Sequence, residues 1–167
     1  MKKPLSVLML AVLPGLALAG GGHGGSDHSH AGHHLAPMAG TAAVSASGQA
    51  GDPAKVSRTI AVTMADTMRF TPEQITVKAG ETIRFTVNNT GKMPHEMVLG
   101  TVDELREHAA LMREMPGMQH AEANMVRLDP GQSGDLVWQF DKAGAVDFAC
   151  LVPGHYEAGM KGSVRIE

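Results

Sequence analysis

Aromatic residues are scarce in this chain: Phe, Trp and Tyr together make up 4% of its 167 residues. So thin a supply does not furnish the stacking surface on which single-stranded nucleic acid is bound. A basic surplus is also missing. The 14 Lys and Arg stand against 17 Asp and Glu, a formal net charge of −3 with histidines neutral, so the footprint of a phosphate-backbone binder is absent. After the N-terminal leader no run is long and apolar enough to read as a membrane span. Cysteine occurs once, at Cys150, which excludes an internal disulfide. Against these shortages stand 12 Met and 9 His. Thioether and imidazole are the soft and borderline donors that suit copper, although methionine is also an adaptable core filler, so position has to decide.

The chain opens on an address. Lys2 and Lys3 form a basic start, Leu5 to Leu18 is an apolar run too short to span a bilayer comfortably, and Ala17-Leu18-Ala19 fits a small-x-small cleavage pattern. Residues 1–19 are therefore expected to be a cleaved signal peptide, and in a bacterium the product is expected in the periplasm. With no Cys near the cut, a lipoprotein anchor is excluded. An uncleaved anchor is the alternative, and Pro14-Gly15 inside the apolar run speaks against it. The expected product is a soluble monomer without a membrane anchor.

Residues 20–54 read as a disordered linker. Gly, Ala, Ser and His dominate, and such a stretch cannot bury enough surface to offset its ordering entropy. Within it lie His23, His28, His30, His33 and His34. A histidine-rich flexible tract is a candidate metal-gathering tail of weak, adaptable affinity; a solvated spacer is the alternative.

From residue 55 to 167 the texture is that of one β domain. Thr59–Met64, Gln74–Lys78, Thr82–Val87, Leu136–Phe140, Val146–Ala149 and Gly162–Ile166 are short β-rich segments separated by turn signals, with Asn88-Asn89-Thr90-Gly91 expected to break the third. This pattern predicts an all-β, antiparallel sandwich or barrel. One insert, about 101–120, departs from it. Thr101 and Glu104 form a capping box, and Val102, Leu105, Ala109 and Met112 recur at helical spacing before Pro116-Gly117, which predicts a helix from about Val102 to Met115.

The candidate chemistry lies near the C-terminus. Cys150, His155 and Met160 follow a strand in a C-x4-H-x4-M spacing, so thiolate, imidazole and thioether fall on one loop between two strands. A lone Cys in an oxidising compartment has no disulfide partner, and a bound metal would explain it. His95, at a strand start after Met93-Pro94, can supply a second imidazole. Two His, one Cys and a weak axial Met is the electron-transfer copper set. Each residue taken singly has a bland explanation (buried Cys, loop His, core Met), but three donors within eleven residues do not.

Arg69-Phe70-Thr71-Pro72-Glu73, the segment Ile75 to Phe85, and the set His95, Cys150, His155 and Met160 together resemble the cupredoxins of the plastocyanin/azurin superfamily over about residues 56–167. The loop spacing is similar to that of auracyanin- or rusticyanin-like members. Pro94-His95-Glu96, the Met- and His-bearing insert and the run Pro153 to Met160 resemble the periplasmic copper-tolerance cupredoxins of the CopI type. The resemblance implies a Greek-key β-sandwich, one type 1 copper centre, and a role in surviving copper excess. One departure stands out. Where many electron-transfer members carry an Asn that ties the two ligand loops together, this chain has Glu96, which can accept hydrogen bonds from the loop but cannot donate amide ones, and neighbours of this kind tune a metal.

The insert carries a further candidate. His108, Met112 and Met115 share one helix face at i, i+4 and i+7, with Met118 and His120 beyond and Met93 and Met97 flanking His95. An auxiliary Cu(I) site is one reading; the other is that Met112, on the Leu105/Ala109 stripe, packs the helix while the rest fill gaps. Two functions compete: copper handling that confers tolerance, and a simple shuttle of electrons to a redox partner. The His-rich tail and the Met-rich insert favour the first. The expected partners are copper ions and a periplasmic redox or copper-handling protein. An enzyme is not expected, because multicopper oxidases need several His-x-His pairs and His28-Ser29-His30 is the one such pair here.

Overall fold

Residues 47–115 and 121–167 are described by the computed structural model of the chain. Residues 1–19, expected to be a signal peptide, the five histidines His23, His28, His30, His33 and His34, and Met118 and His120 lie outside the described residues. The strands are β1 (Gln49–Ala50), β2 (Arg58–Ala65), β3 (Arg69–Thr71), β4 (Gln74–Val77), β5 (Thr82–Asn89), β6 (His95–Gly100), β7 (Met125–Leu128), β8 (Ser133–Gln139), β9 (Gly144–Ala149) and β10 (Lys161–Ile166), with one helix, α1 (Val102–Glu114), between β6 and β7. They form two five-stranded sheets, in the orders β1-β8-β5-β2-β3 and β4-β10-β9-β6-β7.

Alternation builds the core. In β5, Ile83, Phe85 and Val87 are fully buried while Arg84 and Thr86 between them are not, as expected for a strand with one face on the partner sheet. Phe70 meets Phe148 edge-on at 5.0 Å between ring centres, and Phe85 meets Phe140 at 6.2 Å, the geometry the aromatic quadrupole favours. Two strand pairs are parallel, β2 with β5 and β4 with β10, where an antiparallel arrangement was expected throughout. The cause is topological: the chain crosses to the second sheet between β3 and β4 and returns with β5, so β2 and β5 run the same way. β5 also continues through Asn88-Asn89, which the sequence marked as a breaker. Structure at the other end begins early. β1 pairs with β8, and Trp138 Nε1 donates to the Ser47 carbonyl at 2.8 Å, both inside the segment 20–54. A two-residue edge strand has no alternation to reveal it.

The helix forms as its cap dictates. Glu104 N–H donates to Thr101 Oγ1 at 3.2 Å, and Thr101 N–H donates to Glu104 Oε2 at 2.7 Å. Leu105, Ala109 and Met112 are buried, and Leu105 and Ala109 pack on Val98, Ala149 and Leu151. The helix thereby covers the outer face of β6 and β9. This is why β6 is buried at every position: Met97 and Leu99 face the sandwich core, whereas Val98 faces α1. No helix among the described residues is long and apolar enough to cross a membrane.

Candidate metal centre

The second sheet gathers the donors at one of its ends. His95 opens β6, Cys150 directly follows β9, and Met160 directly precedes β10. β9 is hydrogen-bonded to both neighbours, with Val98 opposite Ala149 and Lys161 opposite Ala149. The strand order alone therefore brings three of the four residues side by side. His155 arrives on the connecting loop, which is wound by local hydrogen bonds: His155 N–H to Val152 O at 2.9 Å, Met160 N–H to His155 O at 3.0 Å, and Cys150 N–H to Met160 O at 3.1 Å. Gly159, at φ 91°, makes the tight bend before Met160. Arg69 secures that bend from β3 by donating to the carbonyls of Ala158 and Gly159 at 3.3 and 3.4 Å. Helix α1 secures the other side through Leu151, Tyr156 and an ion pair between Arg113 and Glu157.

Three donor atoms converge. His95 Nδ1 lies 3.2 Å from His155 Nδ1, Cys150 Sγ lies 3.3 Å from His155 Nδ1 and 3.9 Å from His95 Nδ1, and all three side chains are buried. Among the described residues this is the one group of three or more His, Cys and carboxylate side chains close enough to share a metal ion. Burial pushes the Cys150 thiol up to about 12, against the smaller opposing effect of the Glu96 N–H. Burial also lowers His155, helped by the nearby His95 ring, so its imidazole stays neutral and keeps a lone pair. Met160 is fully buried in the same core cluster as Cys150.

Residues around the donors hold them in place. Glu96 N–H donates to Cys150 Sγ at 3.4 Å. The Glu96 carboxylate, 1% exposed, accepts from Leu151 N–H at 3.1 Å and from Arg127 Nη1 at 3.1 Å. It thus ties β6 to the ligand loop by accepting alone, the capacity left to a carboxylate at this position. Sequence reasoning missed three contributors. Arg127, on β7, balances the Glu96 charge. Asn89, fully buried, donates to Met93 O at 2.8 Å and Leu128 O at 3.0 Å and accepts from Gly91 N–H at 2.9 Å, shaping the turn that leads into His95. Asp66, between β2 and β3, has Oδ1 at 3.1 Å from His95 Nε2. Hydrogen bonding from the Lys92 N–H, ahead of the His95 ring, holds the Asp66 carboxyl below its ordinary range. None of the three falls on a recognisable spacing.

The insert residues are distributed differently. Met112 is 4% exposed and packs the helix, as its stripe position required, and Met97 is in the core. His108 is half-buried on α1 and is not part of the donor group, while Met115 is exposed.

A two-sheet β-sandwich with a buried His-Cys-His set at one end of a sheet defines a cupredoxin-class copper site, since thiolate and imidazole are donors that suit copper. The family described as copper binding proteins, plastocyanin/azurin family, matches residues 56–167. The chain is 49% identical over 166 residues to the copper-resistant cuproprotein CopI of Rubrivivax gelatinosus, covering 98% of this chain and 96% of that protein. It is 34% identical to CopI of Vibrio cholerae, covering 84% and 86%, and 36% identical to CopI of Pseudomonas aeruginosa, covering 72% and 82%. The chain belongs to the copper-binding plastocyanin/azurin family, as a CopI-type cupredoxin. Reduced auracyanin of Roseiflexus castenholzii shares the fold with a TM-score of 0.58 at 24% identity, over 67% of this chain and 98% of that one. An azurin of Methylomonas sp. strain J does so with a TM-score of 0.51 at 21% identity, over 67% and 99%.

Proposed function

We propose that this protein is a periplasmic type 1 copper protein that holds one redox-active copper and contributes to copper tolerance. The convergence of His95 Nδ1, His155 Nδ1 and Cys150 Sγ within 4.8 Å in a buried setting carries the reading. These three residues would hold the ion, with Met160 as a weak axial donor. Bound there, copper supplies one-electron redox chemistry. The protein's own part is to keep the His155 imidazole neutral, to exclude water by burial, and to fix the loop between Arg69 and α1. The copper-resistant relatives support the tolerance role. The reading involves binding and electron exchange without turnover of a substrate.

It is tested by copper sensitivity of a strain lacking the protein, complemented with wild type or Cys150→Ala. Wild type should restore growth at high copper and Cys150→Ala should not. Full rescue by Cys150→Ala would place the tolerance in other residues.

Two further outcomes follow. Met160→Gln should retain copper while shifting the visible spectrum and lowering the reduction potential, because an axial ligand tunes more than it holds. Spectroscopy and potentiometry of the loaded variant check this; complete loss of copper would make Met160 a primary ligand. The tail and the insert, through His23, His28, His30, His33, His34, His108, Met115, Met118 and His120, are proposed to gather additional copper weakly. Deleting residues 20–46, which spares the Ser47 carbonyl bonded to Trp138, should reduce the copper bound under excess while leaving the tight equivalent intact. The extra binding should weaken as pH falls and imidazoles protonate. An unchanged copper count in a titration would make the tail a spacer.

A further inference from the structure

Asp66, in a turn of the first sheet, meets His95, at the start of a strand of the second, and backbone groups hold the carboxylate in place. Asp66 sits in the turn between β2 and β3. Its Oδ2 accepts from Lys92 N–H at 2.8 Å, and its Oδ1 is reached by Met93 N–H at 3.4 Å and His95 Nε2 at 3.1 Å. The carboxylate is therefore pinned by the backbone that leads into β6, and it presents one oxygen to the ring. Gly91 gives independent support. A Cβ there would lie 2.1 Å from Asp66 Oδ1 and 3.1 Å from His95 Nε2, so only glycine leaves room for the pair.

We infer that Asp66 is a positioning residue for the copper centre, which fixes the His95 tautomer and sets the balance between the two copper oxidation states. An ionised carboxylate can only accept, so His95 Nε2 must carry the proton, and the Nδ1 lone pair is left facing Cys150 and His155. The same contact fixes the ring's orientation. The negative charge raises the donor strength of the imidazole and favours Cu(II) over Cu(I). The side chain of Asp66 is 35% exposed whereas that of His95 is fully buried, so this carboxylate is also the link between solvent and the ring. The inference rests on the reading of His95 as a copper ligand.

The test compares Asp66→Ala, Asp66→Asn and Gly91→Ala with wild type in the full mature chain. Nitrogen NMR of the metal-free protein should show His95 in the Nε2–H form in wild type. It should show a tautomer mixture in Asp66→Ala. Cu(II) affinity should fall roughly 10–100-fold in Asp66→Ala and in the same direction in Gly91→Ala. The reduction potential should rise in both Asp66 variants, because both lose the charge. Circular dichroism checks folding; if Asp66→Ala does not fold, the potential of the nearly isosteric Asp66→Asn decides. A wild-type potential in Asp66→Asn, or a wild-type tautomer in folded Asp66→Ala, would overturn the inference. Failure of the wild-type protein to take up copper would instead overturn the copper reading, and the tautomer comparison in the metal-free protein would still judge the Asp66 contact.

Discussion

Cys150→Ser should abolish the visible absorption of the copper-loaded protein and release the tightly held copper equivalent. The band expected in wild type arises from charge transfer between thiolate and copper, and a hydroxyl supplies no such donor. The metal-free thiol is pushed up to about 12 by burial, so Cys150 is protonated throughout the physiological range. Copper uptake must displace that proton. Binding by the wild type should therefore release one proton from Cys150, and affinity should rise about tenfold per pH unit while the free thiol remains protonated. His155, lowered by burial and by the His95 ring, competes for protons only at more acidic pH. There the dependence should steepen. Absorption and proton release measured together during a copper titration check both points; a Cys150→Ser variant that kept its colour would remove the thiolate from the site.

The second large effect is expected at Glu96. Its carboxylate joins β6, β7 and the ligand loop through Arg127 and Leu151. Glu96→Ala leaves the buried Leu151 N–H without an acceptor and Arg127 without its partner. An unsatisfied buried donor alone costs about 1–3 kcal/mol. Removing one member of a buried pair can cost more, but Arg127 is 35% exposed and can turn to water, which reduces that share. A loss of about 2–4 kcal/mol in unfolding free energy is expected, read from the shift of a urea midpoint. Glu96→Gln keeps the volume and an oxygen for Leu151, and should lose only part of it. Glu96→Ala with wild-type stability would show that the loop does not depend on this tie.

The sequence made the donor residues legible because they are chemically rare and closely spaced: one Cys in the chain, then His and Met at five-residue steps on one loop. The helix was legible for the same reason. Thr101 and Glu104 announced its start, and the Leu105, Ala109, Met112 stripe announced its buried face. The supports were not legible, because they depend on neighbours distant in sequence. Asp66 and His95 are 29 residues apart, and Glu96 and Arg127 are 31 apart. Nothing in an isolated aspartate or arginine signals such a partner. Asn89 looked like a strand breaker because its side chain is that of a turn residue; folded, it ends β5 and uses that side chain to hold the next turn. The parallel pairs were hidden too, since alternation reports which face is buried and not the direction of the neighbouring strand.

The central claim is that a single copper sits between His95, Cys150 and His155. X-ray absorption at the copper edge of the purified protein, loaded with one equivalent, tests it most directly. Two imidazole nitrogens and one sulfur at thiolate bonding distance are predicted, with the sulfur lost in Cys150→Ser. A shell of nitrogen and oxygen alone in the wild-type protein would contradict it.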